Sequence, residues 1–303
     1  MRARRLLISG GPVAALVVVA LVATAPGAHA SVRSTATSGA TVPATAPVSG
    51  PAGIQAPYAD VANAATGTDI WGQGSTTEVP MGSITKVMTA YVVIESGNLN
   101  QLITVPQGII AYDKEFGAST AGLKPGQQLT AEDLLYALLI PSGCDAAFTL
   151  AQAYGPGMDG FLAKMNATAA QLGLTNTHFT DPSGLPDPTE FSTYSDAEDL
   201  VTLARDAMQL PLFASIVSLA RYQLASVKGE HPAYTWKTTN PLIGNYPGAV
   251  GIKTGDTQAA GDCLLFEAEQ NGEKVIGVVL DDPSWSAATS DAETLLDYGF
   301  SNY

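Results

Sequence analysis

The middle of the chain repeats apolar residues at helical spacing. In each of four segments the apolar positions lie three or four residues apart, which predicts amphipathic helices that bury one face. These segments are residues 130–140, 145–154, 158–173 and 195–209. The first opens on Thr130, with Asp133 three positions later. Threonine is a common N-cap residue, and an acidic residue at this spacing is close to a capping box, so the helix is expected to begin there.

After residue 220 the apolar period changes to two. This alternation predicts half-buried strands, in residues 221–227, 248–255, 262–269 and 274–282. The last two are joined through Gln270-Asn271-Gly272, a signal for a tight hairpin. Residues 58–74 predict an earlier hairpin that turns at Ala65-Thr66-Gly67, and residues 288–300 predict a closing amphipathic helix.

One more helix is predicted after Ser83, ending near Ser96 where Gly97 offers a left-handed cap. A strand hairpin, a helical block, antiparallel strands and a terminal helix together indicate an α+β protein. We expect an antiparallel sheet covered by the N- and C-terminal helices, with the helical block inserted as a subdomain.

The N-terminus has the features of an export signal. Three arginines at positions 2, 4 and 5 precede an apolar run over residues 13–25, and Ala28-His29-Ala30 has the small-x-small pattern of a cleavage site. Residues 1–30 are therefore predicted to be a secretory signal peptide; an uncleaved anchor stays open as the alternative. Residues 31–56 are rich in Ala, Thr, Ser and Pro and predict a flexible linker. The folded domain is expected over residues 57–303, in an exported, extracytoplasmic protein.

The domain is strongly acidic. Without the three signal arginines, the 14 basic residues fall to 11 against 28 acidic ones, and the formal charge changes from −14 to −17. This charge argues against nucleic acid or anionic membranes as partners. No second apolar run occurs near Tyr303, so no C-terminal membrane anchor is predicted.

Cysteines and histidines are few. Cys144 and Cys263 lie in different contexts, so free thiols are favoured over a disulfide. His178 and His231 are the histidines outside the signal, and neither an H-E-x-x-H nor a G-x-S-x-G motif occurs. We therefore expect no metal site, no cofactor and no Ser-His-Asp triad.

A lysine stands one turn after a serine in the predicted helix SITKVMTA. Ser83 and Lys86 are three residues apart and therefore share a helix face, which brings amine and hydroxyl within hydrogen-bond reach. Burial disfavours the charged form of an amine. A neutral amine could then accept the proton of the serine hydroxyl and make it a nucleophile. Taken alone, an S-x-x-K motif is more often an ordinary surface lysine that extends to solvent.

Two further segments combine polar residues with turn or strand signals. Ser142 lies in a Pro/Gly turn, IPSGCDAA, between two predicted helices, where it could relay a proton between Lys86 and a leaving amine or simply be a polar turn residue. Lys253 and Thr254 lie on a predicted strand before Gly255. An ammonium and a hydroxyl beside a glycine form a compact site for a substrate carboxylate, although a charged strand end is about equally common.

In combination, S-x-x-K, a variant of S-x-N and K-T-G resemble the penicillin-binding proteins and serine β-lactamases. The chain is most similar to the low-molecular-mass D-alanyl-D-alanine carboxypeptidases, through the segments SITKVMTA, PSGCDAA, THFTDPSGLPD, FSTYSDAEDL, YPGAVGIKTGDTQAAGDCL and LLDYGF. The resemblance covers residues 57–303. It implies a serine DD-peptidase fold, and a reaction with peptidoglycan stem peptides ending in D-Ala-D-Ala. It also implies covalent binding of β-lactams.

The resemblance also implies residue roles. Ser83 would be the acylated nucleophile, Lys86 its base and Ser142 the proton relay. Lys253 and Thr254, beside Gly255, would hold the substrate carboxylate. The backbone N–H groups of Ser83 and Asp256 would form the oxyanion hole.

The sequence departs from the family pattern at two positions. Cys144 stands where the family usually has asparagine, and a thiol is a weak donor and no amide. The same SGC spelling occurs in an actinomycete branch whose members resemble transpeptidases, so attack by an amine rather than water is an open alternative. Asp256 places a carboxylate beside a carboxylate-binding site. Ser96-Gly97-Asn98 also spells S-x-N, but it lies roughly 20 Å along the helix from Ser83.

Two other functions remain open from the sequence. A class A β-lactamase would need a glutamate that activates water, and Glu190 is the candidate, although Tyr194 occupies the position expected for asparagine. A non-catalytic cell-wall or β-lactam-binding module would keep the pocket without turnover. The complete set of nucleophile, base and relay argues against that module.

Overall fold

A five-stranded antiparallel sheet organises the molecule. The structure is a computed structural model that describes residues 50–303, so the predicted signal peptide lies outside the described residues. The strands of the sheet follow the order β2-β1-β9-β8-β7. They are β1 (Tyr58–Asn63), β2 (Asp69–Gln73), β7 (Ala249–Thr257), β8 (Gly261–Gln270) and β9 (Glu273–Asp282).

A helical block is inserted between β2 and β7. A 3₁₀ turn (Gly82–Thr85) leads into α1 (Lys86–Ser96), and two small hairpins lie farther along the chain, β3 (Leu102–Thr104) with β4 (Gln128–Thr130) and β5 (Arg221–Leu224) with β6 (Tyr234–Lys237). The other helices are α2 (Ile109–Phe116), α3 (Ala131–Leu139), α4 (Cys144–Tyr154), α5 (Met158–Leu172), α6 (Ala197–Met208), α7 (Pro211–Val217) and α8 (Trp285–Ser301).

The two hairpins and the caps follow the local signals. The β8–β9 hairpin turns at Asn271 and Gly272, which both have positive φ, 53° and 85°, as an Asn-Gly turn requires. The side chain of Thr130 caps α3 by accepting the backbone N–H of Asp133 at 3.0 Å. The predicted hairpin of residues 58–74 forms as β1 and β2. These predictions are confirmed.

Alternate residues of the central strands bury opposite faces. Leu264 and Phe266 on β8 pack with Leu295 and Leu296 of α8, while Leu265 contributes to the larger core on the other side. On that side the 3₁₀ turn, α6 and α7 lie against the sheet. Helix α1 is surrounded by α3, α4, α5 and α6. The expected α+β architecture is confirmed, and the N-terminal helix reaches the sheet through its first turn.

The folded part begins earlier than residue 57. Ala56 is fully buried, and Ile54 packs against the core beneath α8. The backbone N–H groups of Gln55 and Ala56 donate to Asp291 Oδ2 at 2.5 and 2.8 Å. Residues 54–56, assigned to the linker on composition, therefore belong to the domain, because a carboxylate on α8 fixes their backbone.

By length and composition, none of the individual helices in residues 50–303 could cross a membrane. Helices α6 and α7, which meet at a bend of 108°, pass that test as a pair.

Candidate active site

Ser83 and Lys86 meet where the 3₁₀ turn becomes α1. Lys86 Nζ donates to Ser83 Oγ at 2.6 Å. The lysine is 0% exposed, although its side chain is long and normally hydrated. The opening turn therefore holds the amine away from water and directly against the hydroxyl, as the S-x-x-K spacing predicts.

Glycines allow three backbone segments to cross at Ser83. Gly82 has a φ of 52°, and a Cβ there would lie 2.7 Å from the backbone nitrogen of Asp256. A Cβ on Gly255 would lie 2.3 Å from the carbonyl oxygen of Met81, and one on Gly184 would lie 1.9 Å from that of Gly82. Because any side chain at these positions would clash with backbone, the glycines set how closely β7 approaches the nucleophile.

Two more acceptors fix the Lys86 amine. Its Nζ lies 3.1 Å from the carbonyl oxygen of Ser183 and 3.3 Å from Cys144 Sγ. Neither partner is a carboxylate. These two contacts orient the amine toward Ser83.

A buried network supports the Ser183 carbonyl. Asp181 Oδ1 accepts the backbone N–H of Ser183 at 2.8 Å and that of Leu185 at 2.9 Å. Tyr112 donates its hydroxyl to Asp181 Oδ2 at 2.5 Å and lies 2.6 Å from Ser183 Oγ. Burial, reinforced by the Asp181 carboxylate, raises the pKa of Tyr112 well above its usual value, so the phenol keeps its proton and remains a donor.

Ser142 reaches the site from the turn before α4. Its φ is 64°, an uncommon left-handed conformation for serine, and its carbonyl oxygen accepts from Ser119 Oγ at 3.0 Å. Ser142 Oγ lies 2.9 Å from Lys253 Nζ. Within residues 50–303 no hydrogen bond joins Ser142 to Lys86, so Ser142 is paired with Lys253 instead.

Lys253 and Thr254 lie on β7 opposite Ser142. Lys253 Nζ also donates to the carbonyl oxygen of Thr254 at 2.9 Å, and Thr254 Oγ1 lies 2.6 Å from Thr239 Oγ1. Burial lowers the pKa of Lys253 well below its usual value, and the nearby Lys86 lowers it further, whereas Cys144 and, less strongly, Asp256 act in the opposite direction. The Asp256 carboxylate therefore helps to keep the Lys253 ammonium charged.

Cys144 is held in place by the segment before it. It begins α4, and its N–H donates to the carbonyl oxygen of Ser119 at 2.9 Å. Asp145 accepts the N–H groups of Ala121 and Leu123, both at 2.9 Å, which ties residues 119–123 to the start of the helix. Cys144 and Cys263 are both free thiols, as expected.

Two adjoining cavities open onto these residues. The larger, about 450 Å³, is lined by Ser83, Cys144 and Glu190, and the smaller, about 380 Å³, by Ser142 and Thr254. Ser119 and Asp256 line both. Ser83 thus faces one compartment of the cleft, and Ser142 and Thr254 face the neighbouring one.

The structure brings the predicted site residues together from four elements. Residues that the sequence did not single out are the buried supports Tyr112, Asp181 and Ser183, together with Thr239 and Trp285. The segment THFTDPSGLPD contains two of the supports, but nothing in it shows that a carbonyl would face Lys86. Glu190, the candidate water-activating glutamate of a β-lactamase, lines the larger cavity. Within residues 50–303 no hydrogen bond links it to Ser83 or Lys86.

Comparison with known proteins gives a consistent result. The family model described as D-alanyl-D-alanine carboxypeptidase, a serine peptidase family, matches residues 44–284. A D-alanyl-D-alanine carboxypeptidase of Streptomyces sp. strain K15 is 38% identical over 249 residues, 78% of this chain and 84% of the relative. The carboxypeptidase DacB2 of Mycobacterium tuberculosis is 37% identical over 246 residues, 79% of this chain and 80% of the relative.

Solved structures agree with the sequence relatives. The crystal structure of the Streptomyces K15 DD-transpeptidase superposes with a TM-score of 0.79 at 37% identity, covering 84% of this chain and 100% of that chain. A penicillin-binding protein homologue from M. tuberculosis gives a TM-score of 0.77 at 33% identity, covering 85% of this chain and 96% of that chain. The match over most of both chains, together with the S-x-x-K and K-T-G geometry, shows that this chain belongs to the D-alanyl-D-alanine carboxypeptidase family of serine peptidases.

Proposed function

We propose that the chain cleaves the terminal D-Ala-D-Ala bond of peptidoglycan stem peptides through an acyl-enzyme on Ser83. The observation that carries this assignment is the fully buried Lys86 amine 2.6 Å from Ser83 Oγ. Family membership supports the substrate class, and the geometry is the basis on which we propose the residue roles. β-Lactams would acylate the same serine.

Acylation begins with proton transfer from Ser83 Oγ to the neutral amine of Lys86. The serine oxygen attacks the carbonyl carbon of the penultimate D-alanine, and the resulting oxyanion faces the backbone N–H groups of Ser83 and Asp256. Such donors stabilise the charge where it develops. Collapse breaks the C–N bond, and the leaving D-alanine amine takes the proton that Lys86 removed, relayed by the Ser142 hydroxyl, which leaves the Lys86 amine neutral again for deacylation. A positioned base of this kind contributes about 10²–10⁴-fold to the rate.

The leaving residue carries a carboxylate, which Lys253 and Thr254 would bind. Both lie at the cleft floor, with Lys253 Nζ 2.9 Å from Ser142 Oγ. The same contact orients the Ser142 hydroxyl. Lys253 therefore serves two purposes in this proposal, because it attracts the carboxylate and polarises the relay hydroxyl.

The acyl-enzyme is resolved by water, giving hydrolysis, or by an amine, giving transfer. Cys144 bears on this choice because its thiol, rather than an amide, lies 3.3 Å from Lys86 Nζ and lines the acyl compartment. A thiol is a weak hydrogen-bond partner, so it orders an attacking water poorly. This favours transfer. The reaction would take place outside the cytoplasm, as the predicted signal peptide suggests.

The test uses two substrates. A diacyl-Lys-D-Ala-D-Ala peptide is incubated with and without an added amine, and free D-alanine and the transfer product are assayed. Labelled penicillin is then followed by intact mass, with Ser83→Ala as the control. A long-lived adduct absent from the control supports the proposal. Rapid release of opened drug would instead indicate a β-lactamase that uses Glu190, and absence of any adduct a binding module.

A further inference from the structure

We propose that the smaller cavity is the subsite for the amine acceptor and selects a peptide amine whose chain continues without a carboxylate. This inference rests on the proposed acyl-transfer function. Ser83 lines only the larger cavity, whereas Ser142 and Thr254 line only the smaller one. The acyl group bound to Ser83 therefore occupies the larger compartment, and the departing D-alanine leaves the smaller one vacant for the next amine.

The smaller cavity is too large for the leaving residue alone. Alanine has six heavy atoms, and at about 30 Å³ each, the share of a water molecule in the liquid, it needs about 180 Å³. The cavity measures about 380 Å³. The remaining space accommodates about one further residue beyond the position of the amine.

The charge of the lining selects the occupant of that space. Asp256 is the charged residue among the described residues that line the smaller cavity. Lys253 is buried beneath it and is engaged by Ser142 and Thr254. The Asp256 carboxylate is exposed. It therefore attracts an incoming ammonium and repels a carboxylate placed one residue beyond the amine.

An apolar wall completes the subsite. Trp285, the first residue of α8, is 38% exposed and lines the smaller cavity together with Pro241. A large exposed indole beside a carboxylate suits the backbone of a short peptide, because the ring covers apolar atoms and favours a nearby cation. These features together predict an uncharged or cationic acceptor chain.

The transfer step is balanced without further reactants. The acceptor amine, once deprotonated, attacks the acyl carbonyl carbon and forms a C–N bond. The ester bond to Ser83 Oγ breaks, and the surplus proton on nitrogen passes through Ser142 and returns to Ser83 Oγ. Amide product and free enzyme result.

The test compares glycylglycine amide with glycylglycine as acceptors for the same acyl donor. We expect the wild type to form at least about threefold more transfer product with the amide at equal concentration, and added salt to narrow this ratio. Asp256→Asn should bring the ratio toward one. Asp159→Asn is the matched control, since Asp159 is an exposed carboxylate at the start of α5 that does not line either cavity. It should leave the ratio unchanged.

Trp285→Ala supplies a second, independent readout. It should raise the concentration of either acceptor needed for half-maximal transfer by about fivefold, while the ratio between the acceptors persists. Equal use of the two acceptors by the wild type would overturn the inference, as would a ratio unaffected by Asp256→Asn, or D-alanine release with no transfer to either acceptor. Failure of the proposed function is distinct, because neither D-alanine release nor a Ser83 adduct would then be seen.

Discussion

The catalytic cleft and the contact between β9 and α8 both bury two titratable side chains of the same type. In the cleft these are Lys86 and Lys253, both 0–1% exposed. At the other contact they are Asp282 and Asp291, each 2% exposed. Among the described residues the ion pair is Lys274 with Glu269, at the surface, so neither buried pair is neutralised by an opposite charge.

Burial shifts the pKa values of these side chains in opposite directions in the two regions. In the cleft, burial lowers the pKa of Lys253, and the nearby Cys144 and Asp256 oppose that shift. At β9, burial followed by the charge of Asp291 raises the pKa of Asp282 to about 7, which favours uptake of a proton. A protonated Asp282 can donate to Asp291, whose other interactions hold residues 55 and 56. The same desolvation therefore supports chemistry in one region and a structural tie in the other.

Removing the cationic anchor should have the largest effect. Lys253→Met leaves the substrate carboxylate unpaired and Ser142 without its partner, so we expect kcat/KM for the D-Ala-D-Ala peptide to fall about 10²–10³-fold, the range for truncating a buried charge pair. Steady-state D-alanine release measures it. Lys274→Met, at the surface ion pair, is the matched control and should retain activity. A loss below about threefold in Lys253→Met would contradict the anchor role.

The pH dependence of the wild-type KM tests whether Lys253 binds the substrate carboxylate as a cation. Because the pKa of Lys253 is lowered, its ammonium is lost at a lower pH than that of an ordinary lysine. The KM for the carboxylate-bearing peptide should therefore rise as pH increases, well before pH 10.5. A KM independent of pH up to that value would show that Lys253 does not bind as the cation.

Removing one hydroxyl behind the base should have a smaller effect. Tyr112→Phe deletes the contacts to Asp181 and Ser183, loosening the carbonyl that orients Lys86, and we expect about tenfold slower acylation, the cost of one buried hydrogen bond. The pH profile of acylation should also change. Tyr154→Phe, which removes a comparable hydroxyl from the carbonyl of Gly97, is the control and should leave that profile unaltered. A matching change in both variants would indicate a purely structural role.

The difference between these residues explains what the sequence could predict. Ser83 and Lys86 share a turn, so their contact follows from local spacing. Tyr112 and Asp181 are 69 residues apart, and their meeting depends on how α2 packs against the loop before Gly184. The places of Thr239 and Trp285 in the cleft could not be predicted from the sequence for the same reason. The short helices α2 and α7 lack the long apolar period by which a helix is recognised in a sequence.

Changing the Cys144 thiol should alter the ratio of hydrolysis to transfer rather than the rate of acylation. Cys144→Asn restores an amide beside Lys86 and can order a water, so the ratio of hydrolysis to transfer should rise by about threefold, a difference of less than 1 kcal/mol. The measurement compares D-alanine and amide product at fixed acceptor concentration. Cys263→Ser, at the buried thiol that bonds the carbonyl of Ala260, is the control. An unaltered ratio in Cys144→Asn would dismiss the thiol as a determinant.

The contact between Asp282 and Asp291 should make the stability of the protein depend on pH. Asp282 faces Asp291, Asp262 and Asp281, and its pKa is 3.8 when unfolded but about 7 when folded. The folded state therefore binds more protons between about pH 4 and 7, so its stability falls as pH rises through that window. A shift of about three pKa units corresponds to about 4 kcal/mol, and each kcal/mol to about 2–4 °C for a chain of this size, so we expect Tm to fall by about 10 °C.

Asp282→Asn tests the source of that fall, because asparagine donates to Asp291 at every pH. The decline in Tm should become shallower by several degrees. Asp60 and Glu267, whose pKa values burial also raises to about 7, account for the remainder. A decline as steep as that of the wild type would assign the effect elsewhere.

The central claim is that the Lys86 amine deprotonates Ser83, and the rate of Ser83 acylation by labelled penicillin in Lys86→Met tests it most directly. Methionine fills most of the buried space of the lysine side chain without an amine, and the variant's thermal transition verifies folding. The account predicts acylation slower by about 10²–10⁴-fold at neutral pH. Acylation at the wild-type rate in the folded variant would contradict it.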